Sequence, residues 1–359
     1  MGAVAERPSS DLPSRMWNAV WRPTPGSLRL LALFGVIGNV LIVVSGGAVR
    51  VTQSGLGCPD WPRCSGDSLV PTHDPDHPLL NMSIEFGNRL VTFVVLTAGL
   101  LVFIAALRLR PRRKELVWWA LAQPMSVVAQ AIIGGIVVLT KLHPAAVSLH
   151  FLVSPALLVF CVALWVRTGE GDAPPLRLAG PWTRGLTAAL LASCAAVLIA
   201  GTVVTGTGPH AGDADSRRYG FDITEVARVH SVLAWVTAGL TVAVLIALHQ
   251  TGAPAAARRR GHELAALIVL QGAVGYLQYF LGVPEGLVLL HMLGSVLMWI
   301  AAFRLFFALR DRGGVPVAAV TAPPEPSELP APSDEPEASG RRGARTGSGP
   351  SPAGNPQPA

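Results

Sequence analysis

Two stretches of the chain follow one pattern: QAIIGGIVVLTKLHPAAVSLH at 130–150 and QGAVGYLQYFLGVPEGLVLLH at 271–291. In each stretch a glutamine comes first, a glycine follows four residues later, a proline comes further on, and a histidine closes the stretch. The segment between glutamine and proline is apolar and long enough to form most of a membrane helix, which the proline would end. The pattern therefore predicts one helical hairpin made twice, with an imidazole in the first turns of its second helix.

The whole chain is too apolar for a soluble domain, because 51% of its 359 residues are hydrophobic and only 14% are charged. Eight windows meet the criterion of about 18 uncharged residues for a spanning helix. In hydrocarbon every backbone N–H and C=O needs an internal partner, and the alternating pattern of barrel strands does not appear. The sequence therefore predicts an all-α membrane protein with eight transmembrane helices, at 28–49, 84–107, 117–140, 145–166, 185–206, 229–250, 263–282 and 287–307.

Basic residues crowd the N-terminal arm, alternate connections and the segment after the last window. By the positive-inside rule, this placement puts both termini in the cytoplasm. The net charge of +6 follows from the same bias, so it does not indicate a nucleic-acid partner. The apolar core of the first window is too long for a signal peptide and no clear cleavage site follows, so we interpret it as a retained helix.

The two halves of the chain repeat the order helix, long loop, helix, hairpin. The long loops lie at 51–83 and 207–227, and the sequence TAGL recurs at 97–100 and 237–240. We expect two tandem pseudo-symmetric four-helix bundles. Their predicted bounds, with the flanking segments, are a cytoplasmic arm at 1–27, bundles at 28–167 and 185–312, a cytoplasmic linker at 168–184, and a disordered tail at 313–359 that is rich in Pro, Gly, Ser and Glu.

Three histidines lie inside apolar windows near their outer ends: His150, His230 and His291. An ionisable group at this depth is costly, so a functional role is favoured over a neutral imidazole bonded to a carbonyl, an alternative that the sequence leaves open. The imidazoles lie on separate helices without a second histidine one turn away, which argues against zinc. His230 and His291 on facing helices, with apolar residues between them, are typical of axial ligands to haem iron.

The first half departs from this arrangement. His150 matches His291, but the counterpart of His230 lies near Asn88, and asparagine is a poor iron ligand. Glu85 lies three residues earlier on the same helical face. An unpaired carboxylate there could move a proton or stabilise developing positive charge, whereas the alternative is a cap at the start of the helix.

Four cysteines divide into two kinds. Cys58 and Cys64 flank PDWPR in the first long loop, where an oxidising compartment would let them form a disulfide. An exposed disulfide of this size could be redox-labile or could be a structural cross-link. Cys161 and Cys194 lie within apolar windows and are interpreted as small packing residues.

Over roughly 28–308 the chain resembles the heme A synthase family. The resemblance rests on GGAVRVTQSGL at 46–56, CPDWPRC at 58–64, IEFGNR at 84–89 and LHPAAVSLH at 142–150, together with His230 and His291. It implies oxidation of the C8 methyl of heme O to a formyl group, giving heme A for terminal oxidases. Two successive oxidations would pass through an alcohol, and the resulting gem-diol would lose water.

The resemblance also implies the site residues. A heme b cofactor would be held by His230 and His291, and the substrate haem would be received near His150, with Asn88 and Arg89 beside it. Glu85 would be the carboxylate needed for activity, and Cys58 and Cys64 would form a loop disulfide. The implied setting is the plasma membrane, with membrane lipid, heme O, heme O synthase, oxidase assembly factors, an unidentified electron acceptor or donor, and a homo-oligomer as candidate partners.

Two departures from the family pattern matter. The family's EXXHR motif reads EFGNR at 85–89, so Asn88 stands where a histidine is expected. We hypothesise that His150 alone ligates the substrate haem. The 207–227 loop lacks the second cysteine pair of some members, so any thiol relay would use Cys58 and Cys64 only.

Two other classes remain as alternatives. A b-type electron-transfer cytochrome, such as a quinol or ferric reductase subunit, would explain the histidines but not the unequal halves. A transporter would explain the internal repeat, but transporters usually carry broken helices and charges near the midplane.

Overall fold

The computed structural model describes residues 21–72 and 78–315, and within them eight helices are long and apolar enough to cross a membrane. This confirms the predicted all-α membrane fold. The helices are α1 Pro25–Val51, α2 Leu79–Arg108, α3 Lys114–Leu139, α4 Pro144–Thr168, α5 Pro181–Thr207, α6 Ile223–Gln250, α7 Ala255–Phe280 and α8 Glu285–Phe307. Most extend beyond the predicted windows, because polar first and last turns continue the helical hydrogen bonding outside the apolar core.

Capping residues set several helix starts. Thr24 and Ser27 form a reciprocal capping box at the start of α1, and the Asp222 side chain accepts two backbone N–H bonds at the start of α6. The prolines of the repeated pattern lie at the start of the second helix of each hairpin, since α4 begins at Pro144 and Pro284 is the N-cap of α8. They do not end the first helix as predicted, because α3 already ends at Leu139 and α7 at Phe280. The histidine lies, as predicted, in the first turns of the second helix.

The helices contact one another in two closed rings. In the first ring α1 contacts α2, α2 contacts α3, α3 contacts α4, and α4 contacts α1. The second ring repeats this order with α5, α6, α7 and α8. Contacts of α8 with α1 and α4, and of α4 with α5, join the rings. This packing supports a division into two four-helix units. The residue bounds predicted for the two bundles remain a prediction.

The largest buried core lies where the two rings meet. Leu158, Cys161, Cys194 and Trp299 belong to it, and both cysteines are free thiols with no exposed surface. This agrees with the packing role expected for them. The indole Nε1 of Trp299 donates a 2.8 Å hydrogen bond to the carbonyl of Pro155, so α8 is tied to α4 across the junction.

The outward faces of the helices carry large apolar side chains. Phe93, Trp118, Val269 and Phe280 each expose 65% or more of their surface. In water such a surface would be unfavourable, whereas a lipid environment accepts it. We call the end of the bundle that carries the 52–72 and 208–222 loops the outer end, following the predicted orientation.

The opposite, inner end is closed by features that the sequence did not predict. Two short strands, β1 Leu176–Arg177 and β2 Arg310–Asp311, pair antiparallel and join the predicted linker to the segment after α8. Beside them Arg167 is 2% exposed and donates to Glu115 and Glu170. Most of the predicted arm at 1–27 and nearly all of the predicted tail at 313–359 lie outside the described residues.

Replacing Arg167 with alanine is expected to destabilise the protein by about 3 kcal/mol, because it removes a fully buried side chain together with its hydrogen bonds to Glu115, Glu170 and the Gly171 carbonyl. Thermal unfolding of the detergent-solubilised protein measures the effect. The matched control is Arg259→Ala, since the Arg259 side chain is 68% exposed and lies 3.7 Å from Glu263. That change should cost no more than about 0.5 kcal/mol. Equal losses in the two variants would contradict the structural role of Arg167.

Candidate functional site

His230 on α6 and His291 on α8 face each other across the second ring. Their ring centroids are 6.3 Å apart and the ring planes are inclined by 71°. Metal–imidazole bonds to first-row metals are about 2.0–2.1 Å long, so one ion between two inward nitrogens would put the ring centroids roughly 6 Å apart. The two imidazoles are therefore spaced to fill both axial positions of a single iron.

The remaining nitrogens of these rings also fit axial ligation. Nδ1 of His291 is buried without a hydrogen-bond partner in the described part of the chain. Nδ1 of His230 is likewise buried without a hydrogen-bond partner there, and it lies 3.7 Å from the place of a Cβ at Gly201, so it faces the backbone of α5. An Nδ1 aimed at the neighbouring backbone leaves Nε2 for a metal.

Glycines on the preceding helices make room for the rings. A Cβ atom at Gly201 would lie 3.3 Å from Cε1 of His230, and one at Gly275 would lie 3.4 Å from Cε1 of His291. The imidazoles therefore pack directly against the backbones of α5 and α7. Gly275 belongs to the repeated sequence pattern, but only the contact with the His291 imidazole explains why a glycine stands there.

The glutamine of the repeated pattern holds the backbone that carries the histidine. Gln271 Nε2 donates to the His291 carbonyl at 2.9 Å, and Gln130 Nε2 donates to the His150 carbonyl at 3.3 Å. Gln130 also donates to Ser154 Oγ at 2.6 Å. The same bond in both hairpins explains why the pattern spans from glutamine to histidine.

His150 on α4 also packs against a glycine in the first ring, but its imidazole is turned differently. A Cβ at Gly134 would lie 3.4 Å from Cε1 and 3.9 Å from Nε2 of His150, whereas the nitrogen nearest to Gly201 and Gly275 is Nδ1 of His230 and of His291. Nδ1 of His150 is buried without a hydrogen-bond partner among the described residues. Asn88 on α2 is half-buried, and its Oδ1 accepts a 2.7 Å hydrogen bond from the Ser45 hydroxyl. The first ring thus holds one imidazole of this kind and an amide.

These imidazoles do not form a site for a bare metal ion. Across residues 21–72 and 78–315 no group of three or more His, Cys, Asp or Glu side chains is placed to hold one. A porphyrin supplies four ligands of its own and needs only axial donors from the protein. Haem therefore fits the donor set better than zinc does.

Glu85 on α2 is buried and ion-paired, so the expectation of an unpaired carboxylate is wrong. Its Oε1 accepts a 2.7 Å bond from Arg89 Nη2, and its Oε2 accepts a 2.7 Å bond from the Cys58 N–H. Arg89 lies one helical turn further on, where its side chain reaches the carboxylate. Glu85 does not cap its own helix either, because its backbone partner belongs to the preceding loop.

Arg89 joins α2 to the first outer loop. Beyond Glu85, its guanidinium donates to three loop carbonyls, those of Cys58, Asp60 and Arg63. The predicted disulfide between Cys58 and Cys64 is present. Both cysteines are fully buried against Met82, so the expectation that this disulfide is exposed is wrong. Glu85, Arg89 and the disulfide loop form one connected unit at the outer end.

A family model for a cytochrome oxidase assembly protein, COX15-CtaA, matches residues 29–303. The chain belongs to that family. Among its relatives is a heme A synthase from Lysinibacillus sphaericus, 30% identical over 224 residues, which are 61% of this chain and 71% of that protein. A heme A synthase from Halalkalibacterium halodurans is 29% identical over 186 residues, half of this chain and 60% of that protein.

A protoheme IX farnesyltransferase from Thermus thermophilus is 28% identical over 315 residues, which are 81% of this chain and 50% of that protein. The matches cover between 50% and 71% of the length of these curated relatives. The family and its heme A synthase members match the predicted resemblance. They do not support the alternative of an electron-transfer cytochrome.

Replacing both His230 and His291 with alanine is expected to remove a low-spin haem signal from the purified protein, since no other pair of imidazoles described here has this spacing inside the membrane. Absorbance and electron paramagnetic resonance of the detergent-solubilised protein measure the loss. His249→Ala is the control, because that ring lies at the exposed inner end of α6 and its Nδ1 contacts the Leu245 carbonyl. An unchanged spectrum in the double variant would rule out axial ligation by this pair.

Proposed function

We propose that this protein is a heme A synthase, which oxidises the C8 methyl of heme O to a formyl group and so makes heme A for terminal oxidases. The observation that carries the proposal is the inequality of the two rings. One ring has two facing imidazoles 6.3 Å apart, whereas the other has His150 on α4 and, on α2, Asn88 in place of a second such imidazole. A carrier of electrons between two permanent haems would need both held firmly. One permanent haem and one exchangeable haem suit an oxidoreductase whose substrate is itself a haem.

The permanent haem in this proposal is heme b, held by His230 and His291. With both axial positions filled, it supplies one-electron transfer when bound. Gly201 and Gly275 leave space for the imidazoles of His230 and His291. A hydrogen bond from Gln271 holds the backbone of His291 in place. These contacts keep both imidazoles in place and so favour rapid electron transfer with little rearrangement.

The substrate haem in this proposal binds at His150, with Asn88 on the opposite side. Attachment through one imidazole is weaker than attachment through two, which suits a haem that must enter, react and leave. Arg89 was expected beside the substrate. Because its guanidinium already donates to Glu85 and to three loop carbonyls, we propose that it supports the site by holding Glu85 rather than by touching the haem.

Glu85 is the proposed catalytic carboxylate. Oxidation of a methyl group releases protons, and loss of water from the gem-diol needs a proton to be moved as well. The carboxylate lies on the same helix as Asn88, three residues away, and its two oxygens are held by Arg89 and by the Cys58 N–H. This fixed position lets it take a proton from the reacting group or stabilise positive charge that develops there.

The proposed setting is the plasma membrane, with both termini in the cytoplasm and the haem sites towards the outer face. The proposed units are the predicted bundles at 28–167 and 185–312. Heme O is the substrate, and its supply requires a prenyl transfer to haem. The match to a protein named protoheme IX farnesyltransferase places a relative of this chain in haem prenylation and so supports heme O as the substrate. A heme O synthase is a proposed partner. Oxidase assembly factors, an electron acceptor or donor, and further copies of this chain complete the proposed partners.

Replacing Glu85 with glutamine keeps the shape of the side chain but removes its charge. We expect heme A to fall by at least about a hundredfold, with heme O accumulating, because the proton acceptor is lost. Haems extracted from cells that express each variant, separated by chromatography, measure both pigments. Glu225→Gln is the matched control, since Glu225 is 62% exposed and pairs with Arg228 in the first turn of α6. Wild-type heme A in the Glu85 variant would refute the role assigned to this residue.

Replacing His150 with alanine should abolish binding of heme O to the first ring, whereas Asn88→Ala should leave it bound. The reason is that an imidazole ligates iron and an amide does not. Titration of the purified variants with heme O, followed by absorbance, tests the difference. Equal loss of binding in both variants would show that attachment through His150 alone is the wrong description.

A further inference from the structure

Three positions in the molecule share one arrangement, in which a glycine on one helix packs against an imidazole on the next. The pairs are Gly134 with His150, Gly201 with His230, and Gly275 with His291. A Cβ at Gly201 would lie 3.3 Å from the ring Cε1, slightly closer than ordinary contact, and a Cβ at Gly134 or Gly275 would lie 3.4 Å away, at the near limit of ordinary contact. Glycine therefore lets the imidazole lie against the backbone without having to shift.

The repeat defines a fourth position, between α1 and α2. Ser45 lies as far from the end of α1 at Val51 as Gly201 lies from the end of α5 at Thr207. Asn88 lies as far from the end of α2 as His230 lies from the end of α6. At this position both members of the pair differ, since serine replaces glycine and asparagine replaces histidine.

The two replacements fit each other. Ser45 carries the hydroxymethyl group that the other positions exclude, and its hydroxyl donates a 2.7 Å hydrogen bond to Asn88 Oδ1. The same hydroxyl also lies 3.1 Å from the Ile42 carbonyl. With Oδ1 engaged, the amide Nδ2 of Asn88 has no hydrogen-bond partner among the described residues and keeps its donors for another molecule. The pair is thus a small polar surface without a metal ligand.

We propose that a haem held by His150 keeps one axial position open towards the Ser45–Asn88 pair, and that this position binds a small neutral diatomic ligand to which the Asn88 amide donates a hydrogen bond. This inference rests on the proposed function for the presence of haem at His150. It adds a binding site for a second, small ligand and assigns Ser45 as the residue that positions Asn88. The bond from the Ser45 hydroxyl to Asn88 Oδ1 restrains rotation of the amide and leaves Nδ2 as its unengaged end.

Carbon monoxide is the probe. The full chain is purified in detergent, loaded with heme O and heme b, reduced, and titrated with carbon monoxide while absorbance is followed. In the wild type we expect one haem to bind carbon monoxide and the other, held by His230 and His291, to remain unreactive. His150→Ala should remove the reactive haem, and the His230→Ala/His291→Ala double variant should retain it.

The repeat itself supplies the sharpest variant, Ser45→Gly combined with Asn88→His, which restores the glycine–imidazole pair. In this double variant we expect the haem held by His150 to become low-spin, with two imidazole ligands, and to lose carbon monoxide binding. Asn88→His alone should convert less of the haem, because the Ser45 side chain occupies the space that the ring needs. A double variant that still binds carbon monoxide as the wild type does would overturn the proposal.

The vibrational frequency of bound carbon monoxide tests the hydrogen bond separately from activity. Asn88→Leu and Ser45→Ala should both shift the stretch to higher frequency, because a donor is removed or loses its orientation. Thr92→Val is the matched control, since the Thr92 hydroxyl contacts only the backbone carbonyl of Asn88 at 3.3 Å, and it should leave the stretch unchanged. A stretch unchanged in the Leu variant would contradict the assigned role of Asn88.

Two failures can be told apart. A haem that depends on His150 but is low-spin and inert to carbon monoxide overturns this inference and leaves the proposed substrate site standing. Absence of any haem that depends on His150 overturns both. Carbon monoxide binding as expected in a protein that makes no heme A supports this inference and refutes the proposed reaction.

Discussion

The contact between an imidazole and the bare backbone of a neighbouring helix is the constraint on which the rest of this structure depends. A histidine inside a membrane helix is costly unless its ring nitrogens bind a metal or a hydrogen-bond partner. Its imidazole can lie between two helices only where no other side chain occupies the space. Gly201 and Gly275 provide that space beside His230 and His291. The resulting 6.3 Å separation of the rings is what makes one shared iron geometrically reasonable.

The outer end of the first ring is organised by a different interaction, the ion pair of Glu85 with Arg89. It is buried, and it is tied to the disulfide loop through the N–H and the carbonyl of Cys58. The charges are tolerated because Glu85 also accepts from the Cys58 N–H and Arg89 also donates to three loop carbonyls. The loop, the disulfide and the start of α2 therefore behave as one unit, and a change in any of them reaches the carboxylate.

The comparison of the two rings shows how a duplicated scaffold can hold unequal sites. The helix order, the hairpin breaks and the hydrogen bond from glutamine to the histidine backbone recur in both halves. One difference lies between α1 and α2, where Ser45 and Asn88 stand in place of a glycine and a histidine. Because the surrounding framework is common, this exchange changes the ligands offered to a haem without requiring a different fold.

The sequence alone determined the eight spans, the repeated hairpins and the three histidines near one end of the membrane. These follow from hydropathy, proline positions and the cost of a polar group in hydrocarbon, all of which act locally along the chain. Only the tertiary structure decided that Glu85 is ion-paired and that the disulfide is buried. It also decided that Arg167 closes the inner end and that each of the three imidazoles packs against a glycine. Those contacts join residues from different helices and loops. Their existence depends on how the helices approach one another, which composition and spacing do not fix.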